Sequence, residues 1–206
     1  SVGSHHLWKK KLVQQMNIQS NDLILEVGVG TGDITNQINK NYLTTSVVSV
    51  DLNFSMLEYG KKKIKLKSNK ISWINCNAEK LPFDNNIFDK YIISFCLRNI
   101  TLIDNALNEA IRVLKPGGIF YCLEFSNPNS SFINKIYNFY KSEIIPFIGE
   151  HIAKNKKAYK YLEESIDQFP DQKVLLSKLK NIGFENTSVI NLFNGIVAIH
   201  KGFKIL

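Results

Sequence analysis

A run of alternating glycines, Glu26-Val27-Gly28-Val29-Gly30-Thr31-Gly32-Asp33, has the spacing of a ligand-binding turn. It follows the apolar segment Leu23–Val27 and precedes a helical pattern, so we expect it to join a first strand to a first helix. Glycines let the chain turn tightly and leave bare main chain for a ligand to lie against. The spacing excludes the dinucleotide fingerprint G-x-G-x-x-G, because Asp33 stands where the third glycine belongs, and no Gly-Lys-Ser/Thr ending of a phosphate-binding loop follows.

Polar residues stand at or near the ends of the next three expected strands. Asp51 ends the second strand, where its carboxylate can accept hydrogen bonds from a ribose diol. Asn77-Ala78-Glu79 follows the third strand and can offer amide and backbone groups to an adenine edge, with apolar cover from Leu81-Pro82-Phe83. Ser94 lies near the end of the fourth strand. This order of residues predicts a site for an adenosyl ligand without phosphates.

The elements that must position these residues alternate between strand-length apolar segments and helical patterns. This alternation predicts a doubly wound α/β fold, in which a mostly parallel sheet is covered on both faces. The expected strands are Leu23–Val27, Ser46–Asp51, Ile71–Cys76, Lys90–Phe95 and Ile119–Phe125, and the expected helices are Asp33–Asn41, Ser55–Leu66 and Leu102–Leu114, the last ended by Lys115-Pro116-Gly117-Gly118.

The pattern changes after Phe125. Residues 127–170 are expected to form a helical insert, with one helix at Ala158–Gln168. Asp171 can N-cap a further helix that Gly183 closes. Thr187–Leu192 and Gly195–Phe203 are predicted to form an antiparallel hairpin. We therefore expect one domain over residues 1–206 with a seven-stranded sheet.

Composition narrows the partners. A chain of 206 residues that is 44% hydrophobic and 21% charged suits one domain with a sizeable core. The net charge of +8 suits nucleic acid, an acidic membrane or an anionic ligand, but only Arg98 and Arg112 are arginines and no nucleic-acid module is present, so nucleic acid is not expected as a partner. Three widely spaced cysteines favour neither disulfides nor a metal site. No apolar run is long enough to span a bilayer, and the first residues are not expected to form a signal peptide.

At the glycine loop and Asp51 the chain resembles class I S-adenosylmethionine-dependent methyltransferases. A closer similarity, to the ubiquinone/menaquinone biosynthesis C-methyltransferases, covers essentially the whole chain. Generic methyltransferases share the glycine loop and K-P-G-G, whereas L-R-N and A-I-H-K-G-F are far more particular to this family. The motifs are S-V-G-S-H-H-L-W-K-K at the start, N-A-E-K-L-P-F, S-F-C-L-R-N, R-V-L-K-P-G-G, L-E-F-S-N-P, Y-L-E-E-S-I, F-P-D-Q and the ending G-I-V-A-I-H-K-G-F-K.

Two features depart from the family pattern. Members usually carry a further segment before the S-x-G-x-H-x-L-W-K stretch, with a tyrosine-containing motif that helps to cover the active site, and that segment is not part of the printed sequence. Many members also have D-L-A-G where this chain has E-V-G-V. Because Gly30-Thr31-Gly32-Asp33 is kept, we expect cofactor binding to be retained.

The resemblance implies a Rossmann-like methyltransferase fold and transfer of the sulfonium methyl of S-adenosylmethionine to a ring carbon of a polyprenyl hydroquinone. The protein then has to align the reacting atoms and to help remove a phenolic proton, whose ordinary pKa is about 10. Arg98 and Asn99 directly follow the fourth strand and are the candidate catalytic residues. Arg98 would stabilise a developing phenolate and Asn99 would orient a water or hydroxyl. Pairing of Arg98 with a surface carboxylate is the alternative.

Several predicted cofactor residues have structural alternatives. Asp51 could cap a strand end, Asn77 could form a turn, and Ser94 could bond to backbone inside the sheet. Glu26 could reach the amino group of the donor or bond to the backbone of the loop, and Asp33 could contact the donor's amino-acid moiety or N-cap the first helix. The predicted cofactor-binding residues are Glu26, Gly28, Gly30, Thr31, Gly32, Asp33, Asp51, Asn77, Ala78 and Ser94.

Three further residues are expected to be structural. His5 is more typical of a surface or packed histidine than of a base, and His200, in the last strand, is expected to be part of the packing. Arg112, in the helix before K-P-G-G, is expected to be solvated.

Partners and location follow from the resemblance. The insert at 127–170 would cover the substrate, with Phe132–Ile148 either as core or as a channel and membrane-facing lid for the polyprenyl tail. Lysines of the same insert would then contact anionic headgroups. We expect the chain to form a homodimer or to take part in a quinone-synthesis complex. We expect its location to be the cytoplasm, the inner face of the membrane or the mitochondrial matrix. The lysines are Lys154, Lys156 and Lys157.

Two other functions stay open beside the main hypothesis. One is methyl transfer to an oxygen or nitrogen of another small molecule. The other is a non-catalytic, methyltransferase-like module of a quinone-synthesis complex. The choice between a benzoquinol and a naphthoquinol substrate is also left open.

Overall fold

Seven strands form one sheet in the part of the chain that a computed structural model describes, residues 2–65, 70–126, 164–166 and 168–206. The strands are β1 Leu23–Val27, β2 Ser46–Asp51, β3 Ile71–Asn75, β4 Phe88–Ser94, β5 Leu114–Phe125, β6 Glu185–Leu192 and β7 Val197–Phe203. The longer helices among these residues are α1 Val2–Gln15, α2 Asp33–Asn41, α3 Phe54–Lys63, α4 Ile103–Val113 and α5 Gln172–Ile182.

The sheet has the order β3-β2-β1-β4-β5-β7-β6. The first five strands are parallel, and β7 is antiparallel to both β5 and β6. The predicted doubly wound fold with a C-terminal antiparallel hairpin is confirmed. The chain reverses its direction of winding between β1 and β4, and the crevice at the carboxyl ends of these strands is where such folds bind ligands.

Local sequence sets the helix boundaries. Gly32, with a φ of 75°, precedes α2, and the side chain of Asn53 N-caps α3 by accepting a hydrogen bond from the N–H of Met56 at 3.2 Å. Asp171 caps α5 in the same way through the N–H of Val174 at 2.8 Å, and Gly183 ends it with a φ of 109°. The predicted caps at Asp171 and Gly183 are therefore confirmed.

A separate hydrophobic core lies on each face of the sheet. On one face α4 and α5 bury Ala110 and Leu179, and on the other α1 and α2 bury Leu12 and Ile38. Burying one large aliphatic side chain contributes roughly 1.5–3 kcal/mol. These two cores hold the strand ends that carry the site at fixed positions.

Two elements differ from the sequence-based expectation. No helix was predicted at residues 2–15, although Trp8 and Leu12 of α1 and Met16 directly after it recur every four residues and are buried. Lys115-Pro116-Gly117-Gly118 does not follow a helix as a loop, because β5 already begins at Leu114 and pairs there with Phe88. An irregular register between these strands accommodates the four residues.

Most of the predicted insert lies outside the described residues. The segment Phe132–Ile148, Lys154, Lys156 and Lys157 all fall there, as does most of Ala158–Gln168. Residues 164–166 are described and are helical. None of the described helices has the length and hydropathy needed to cross a membrane.

His200 is a buried polar group of the described sheet. It lies on β7, is 1% exposed, and neither ring nitrogen has a hydrogen-bond partner among the described residues. Burial lowers the pKa of His200 to about 4 from an ordinary value of 6.5, since the charged imidazolium is disfavoured there. A lowered pKa means that the unfolded chain binds the proton more readily, so stability is lost as the pH falls from about 6.5 toward 4.

We expect a His200→Leu variant to lose less stability in acid than the wild-type chain does. Between pH 7 and pH 5 the wild type should lose about 2 kcal/mol more of its free energy of unfolding than the variant, because only the wild type must bury a group that the unfolded state protonates. Urea unfolding at both pH values measures this difference. An exposed-histidine variant, His6→Gln, should behave like wild type, and equal pH dependence in all three proteins would refute the assignment.

Candidate active site

A cleft of about 870 Å³ opens at the carboxyl ends of β1, β2 and β4. Half of the twelve predicted site residues line it, and the other half do not. The lining residues are Gly28, Gly30, Asp51, Asn77, Ala78 and Asn99. The predicted residues that lie outside the described wall are Glu26, Thr31, Gly32, Asp33, Ser94 and Arg98.

The turn after β1 is left-handed at three glycines. Gly28, Gly30 and Gly32 have φ values of 67°, 53° and 75°, a region that residues with a Cβ rarely adopt. A Cβ on Gly28 would lie only 2.2 Å from the Sγ of Cys96, and one on Gly32 would lie 2.8 Å from the Cδ1 of Ile64. The glycines are therefore required both by backbone conformation and by close packing of the turn against its neighbours.

Asp51 ties this turn to the second strand. One carboxylate oxygen accepts a hydrogen bond from the N–H of Gly30 at 2.8 Å, and the other accepts from the N–H of Asn53 at 2.8 Å. A carboxylate offers about four acceptor positions, so hydroxyl donors in the cleft can still bind to it. Asp51 thus organises the loop, as the strand-end alternative expected, and also lines the cleft as a ribose acid must.

Asn77 and Ala78, which follow β3, form another part of the cleft wall. The side-chain oxygen of Asn77 accepts a hydrogen bond from the N–H of Glu79 at 2.9 Å, which is the turn-forming role considered above. Ala78 is buried. The carboxylate of Glu79 accepts a hydrogen bond from the N–H of Leu102 at 3.1 Å, which joins this wall to the segment that enters α4.

Arg112 holds the same wall in place, and its side chain is 30% exposed, so the expected solvation is only partial. Its guanidinium donates to the carbonyls of Phe83 at 2.7 Å and Leu81 at 3.0 Å and forms an ion pair with Glu109 at 2.6 Å. The loop after β3 runs past the last turns of α4 and directs its carbonyls toward Arg112. A planar guanidinium can donate hydrogen bonds to several of these carbonyls at once. Arg112 therefore anchors the loop that follows Asn77 and Ala78.

Glu26 lies behind the glycine turn. It is fully buried and accepts a hydrogen bond from the hydroxyl of Thr35, whose oxygen is 2.7 Å from that of Ser49. Burial raises the pKa of the Glu26 carboxyl to about 7, although the Thr35 hydroxyl and the charge of Lys9 favour the ionised form. The carboxyl therefore bonds to a side chain of α2. The alternative had expected hydrogen bonds to the backbone of the loop.

Asp33 does not N-cap α2, because Gly32 occupies the cap position and Asp33 is the first helical residue. Its carboxylate instead forms ion pairs with Lys9 at 2.8 Å and Lys63 at 2.9 Å, which join α2 to α1 and α3. Burial alone would raise the pKa of Asp33, but the two lysines outweigh it and hold the pKa well below its usual range. The capping alternative is therefore wrong.

Ser94 ends β4 with a buried hydroxyl that makes no hydrogen bond within the described part of the chain. The alternative in which a backbone group satisfies this hydroxyl is therefore wrong. A buried polar group without a partner is uncommon, and it costs roughly 1–3 kcal/mol. The Oγ of Ser94 remains available to a group from outside the described chain.

Arg98 and Asn99 lie in a short 3-10 turn, Leu97–Asn99, directly after β4. Asn99 is exposed in the cleft wall. The side chain of Arg98 turns toward the end of β5, where its Nη1 atom lies 2.6 Å from Oε1 of Glu124 and its guanidinium carbon lies 5.2 Å from the ring centroid of Phe125. Arg98 thus has a buried partner, whereas the alternative expected a surface carboxylate.

Twelve wall residues lie outside the predicted set, and three of them, Phe95, Cys76 and Cys96, have unusual properties. Phe95 has a φ of 52°, which strains a residue with a bulky side chain and is found mainly at functional sites. Cys76 and Cys96 also line the cleft, and burial raises the pKa of these thiols to about 11 and about 12. Only the position of these residues in the chain could have predicted that they line the cleft. Phe95 and Cys96 follow β4, and Cys76 ends the predicted third strand.

His5 packs against Phe95 from α1. The centroid of its ring is 5.1 Å from those of both Trp8 and Phe95. Burial, together with the nearby charges of Lys9 and Arg98, lowers the pKa of His5 to about 4, so the imidazole is neutral near pH 7. The packing role that the sequence favoured agrees with this position.

The cleft residues suit an adenosyl ligand. The left-handed turn leaves main chain uncovered, and Asp51 offers acceptors for a diol. Leu52 and Met56 add apolar surface to the same cleft. In the described ranges, no group of three or more His, Cys, Asp or Glu side chains is arranged to hold a metal ion.

The model of the ubiE/COQ5 methyltransferase family matches residues 1–204. The chain belongs to this family. A ubiquinone/menaquinone biosynthesis C-methyltransferase of Erwinia tasmaniensis is 42% identical over 99% of this chain and 82% of its own length. The mitochondrial 2-methoxy-6-polyprenyl-1,4-benzoquinol methylase of Gallus gallus is 40% identical over the whole chain and 78% of its own length. The family predicted from the sequence motifs is confirmed.

Solved structures support the fold of this ubiE/COQ5 member. A methyltransferase of Aquifex aeolicus that depends on S-adenosylmethionine superimposes with a TM-score of 0.70, at 16% identity, over 96% of this chain and 89% of that one. The phosphoethanolamine N-methyltransferase 2 of Haemonchus contortus, solved with S-adenosyl-L-methionine, gives 0.70 at 16% identity over 96% and 52% of the two chains. These structures confirm the predicted methyltransferase fold, and membership of the ubiE/COQ5 methyltransferase family supports the predicted use of S-adenosylmethionine.

We expect Gly28→Ala to lose at least about tenfold in affinity for S-adenosylmethionine, because the added Cβ combines left-handed strain with a contact to Cys96 that the turn cannot relieve without shifting. Gly117→Ala is the matched control, since Gly117 has a φ of 81° but nothing within 4 Å of the added Cβ. The control should lose about 1 kcal/mol of stability and keep its affinity. Calorimetric titration measures both, and wild-type affinity in a folded Gly28→Ala protein would refute this account.

Proposed function

We infer that this chain is an S-adenosylmethionine-dependent C-methyltransferase that methylates a ring carbon of a quinol in ubiquinone or menaquinone biosynthesis. The observation that carries the inference is membership of the ubiE/COQ5 family over residues 1–204. The related proteins of E. tasmaniensis and G. gallus have names that specify this chemistry. The glycine-lined cleft with Asp51 at its edge suits the methyl donor.

When bound, S-adenosylmethionine supplies an electrophilic methyl whose C–S bond breaks with the electron pair remaining on sulfur. The ring hydroxyl gives up its proton, ring π electrons form the new C–C bond, the ring carbon then loses its proton to water, and the hydroxyl is protonated again. The net reaction releases one proton. The chain's task is therefore to hold donor and ring in line and to stabilise negative charge on the ring oxygen.

The residues proposed to bind the donor belong to two groups. Gly28, Gly30, Asp51, Asn77 and Ala78 line the cleft and are proposed to contact the donor directly. The second group, outside the described wall, supports the turn or contacts the amino-acid end of the donor. Its members are Glu26, Thr31, Gly32, Asp33 and Ser94.

Arg98 and Asn99 are proposed as the catalytic pair. Asn99 lies in the cleft wall and is exposed, so its amide can bond to a hydroxyl or a water there. Arg98 is the adjoining residue and carries N–H donors on a guanidinium that stays charged at all relevant pH values. Donors aimed at an oxygen on which charge develops are typically worth about 100- to 1000-fold in turnover.

We expect incubation with S-adenosylmethionine and short-tailed demethylated benzoquinol or naphthoquinol to add one methyl group to a ring carbon, as read by mass spectrometry. Acceptance of one ring and not the other identifies the pathway. Addition of the methyl group to an oxygen or nitrogen atom would show that the proposed acceptor atom is wrong. Binding of S-adenosylmethionine without product from either ring would contradict the proposed reaction.

We also propose contact with an anionic membrane surface, which would deliver a polyprenyl substrate. Leu52, Phe54 and Leu102 are 70%, 61% and 53% exposed, and Leu52 and Leu102 line the cleft. The exposed side chains of Lys61 and Lys62 follow on α3, and the chain carries a net charge of +8. Apolar side chains beside lysines favour adsorption to anionic lipid, each lysine contributing at most about 1 kcal/mol. A homodimer, a quinone-synthesis complex, and a cytoplasmic or matrix location stay predictions.

The membrane proposal is tested by flotation with vesicles of phosphatidylcholine and phosphatidylglycerol. Phe54→Ser should lower the bound fraction by about tenfold, because a large side chain is lost from the proposed surface. Leu43→Ser is the control, since Leu43 is 58% exposed but precedes β2 and so lies at the opposite end of the sheet. Absence of wild-type binding, or equal loss in both variants, would contradict the proposal.

A further inference from the structure

A buried ion pair lies beside the proposed catalytic turn. Glu124, near the end of β5, is wholly buried, and the side chain of Arg98 is only 9% exposed. Their Nη1 and Oε1 atoms are 2.6 Å apart. Taking two charges out of water costs several kcal/mol for each, so such a pair is rarely justified by stability alone.

The carboxylate of Glu124 is anchored to the backbone on both sides of the pair. Its Oε1 accepts a hydrogen bond from the N–H of Phe125 at 2.9 Å, and its Oε2 accepts one from the N–H of Arg98 at 3.4 Å. The ring of Phe125 lies beside the guanidinium, 5.2 Å from its central carbon. Strand β5, and not only the turn that carries Arg98, therefore determines where the guanidinium lies.

One donor of this guanidinium is left without a partner. The Nε–H of Arg98 is buried and makes no hydrogen bond to any described residue. Leaving a charged, buried donor unpaired is costly, and a catalytic role is one of the few explanations for such a group in a native structure. Glu124 thus fixes the guanidinium through Nη1, while the Nε–H has no partner among the described residues.

We propose that Glu124 is a positioning residue for methyl transfer, which acts by holding the guanidinium of Arg98 toward the ring oxygen of the acceptor. The inference rests on the proposed function. Because the carboxylate neutralises much of the charge of Arg98, the pair acts through oriented N–H donors more than through a net positive charge. The site therefore needs a fixed planar fork, which lysine cannot supply. Glu124 itself is not among the described residues that line the cleft.

The decisive experiment is a double-mutant cycle with Arg98→Ala, Glu124→Gln and both substitutions together. Arg98→Ala should lower kcat by about 100-fold or more, and Glu124→Gln by about 10- to 100-fold, with the affinity for S-adenosylmethionine unchanged. Since Glu124 acts through Arg98, the double variant should be no slower than Arg98→Ala alone. A further fall of 10-fold or more in the double variant would overturn the proposal, as would wild-type kcat in Glu124→Gln.

Asp22→Asn serves as the matched control. Asp22 forms a similarly short and largely buried ion pair with Lys90, at 2.5 Å, but it directly precedes β1 and so lies at the opposite end of the sheet from the cleft. Its loss should lower stability and leave both kcat and the affinity for S-adenosylmethionine close to wild type. A purely structural role for Glu124 predicts that Glu124→Gln behaves as Asp22→Asn does, and that result would also overturn the proposal.

A second measurement keeps the inference testable if Glu124→Gln does not fold. Guanidinium chloride at non-denaturing, millimolar concentration should restore turnover of Arg98→Ala by at least about tenfold, because Glu124 can bind the free cation, while methylammonium should not. No restoration would overturn the role of Glu124. Methylation of neither quinol by the wild-type chain would instead overturn the proposed function, so the two failures are distinguishable.

Discussion

The cleft depends on a single constraint, which is that the chain leaves β1 through three left-handed residues. The N–H of Gly30 can reach Asp51 because of this turn, and the bond fixes the glycine loop against the end of β2. The turn also brings its backbone so close to α3 that a Cβ on Gly60 would lie 3.1 Å from the carbonyl oxygen of Gly30. The end of β2, the glycine turn and α3 are thus in close contact, and the backbone of the turn approaches that of α3. A ligand therefore binds to a surface that is already formed.

The only two arginines of the chain have related structural roles behind the residues that line the cleft. Arg112 pairs with Glu109 and holds the loop after β3, while Arg98 pairs with Glu124 at the end of β5. All other basic residues except histidine are lysines. The chain therefore has arginine at two places where one planar group meets a buried or partly buried carboxylate, which an ammonium group on a flexible stem does less well.

Sequence alone predicted the sheet and its connections, because β-branched runs, glycine turns and helix caps are local signals. It also placed Gly28, Gly30, Asp51, Asn77, Ala78 and Asn99 in the cleft wall, since residues that follow parallel strands meet at one edge. It failed where the decisive partner is remote in the chain. The two lysines that hold Asp33 come from other helices, and the carbonyls that bind Arg112 come from a loop about 30 residues earlier. The helix at the start was overlooked although its buried residues recur every four positions.

The thiols of the cleft bear on the chemical compatibility of the site with its ligands. Quinols oxidise readily to quinones, which are electrophiles that alkylate thiolates. With the pKa values of Cys76 and Cys96 raised to about 11 and about 12, about one thiol in ten thousand or fewer is ionised at pH 7. Both sulfurs therefore remain in the unreactive, protonated form. Burial thus makes this cleft tolerant of an oxidised ligand that would inactivate an ordinary surface cysteine.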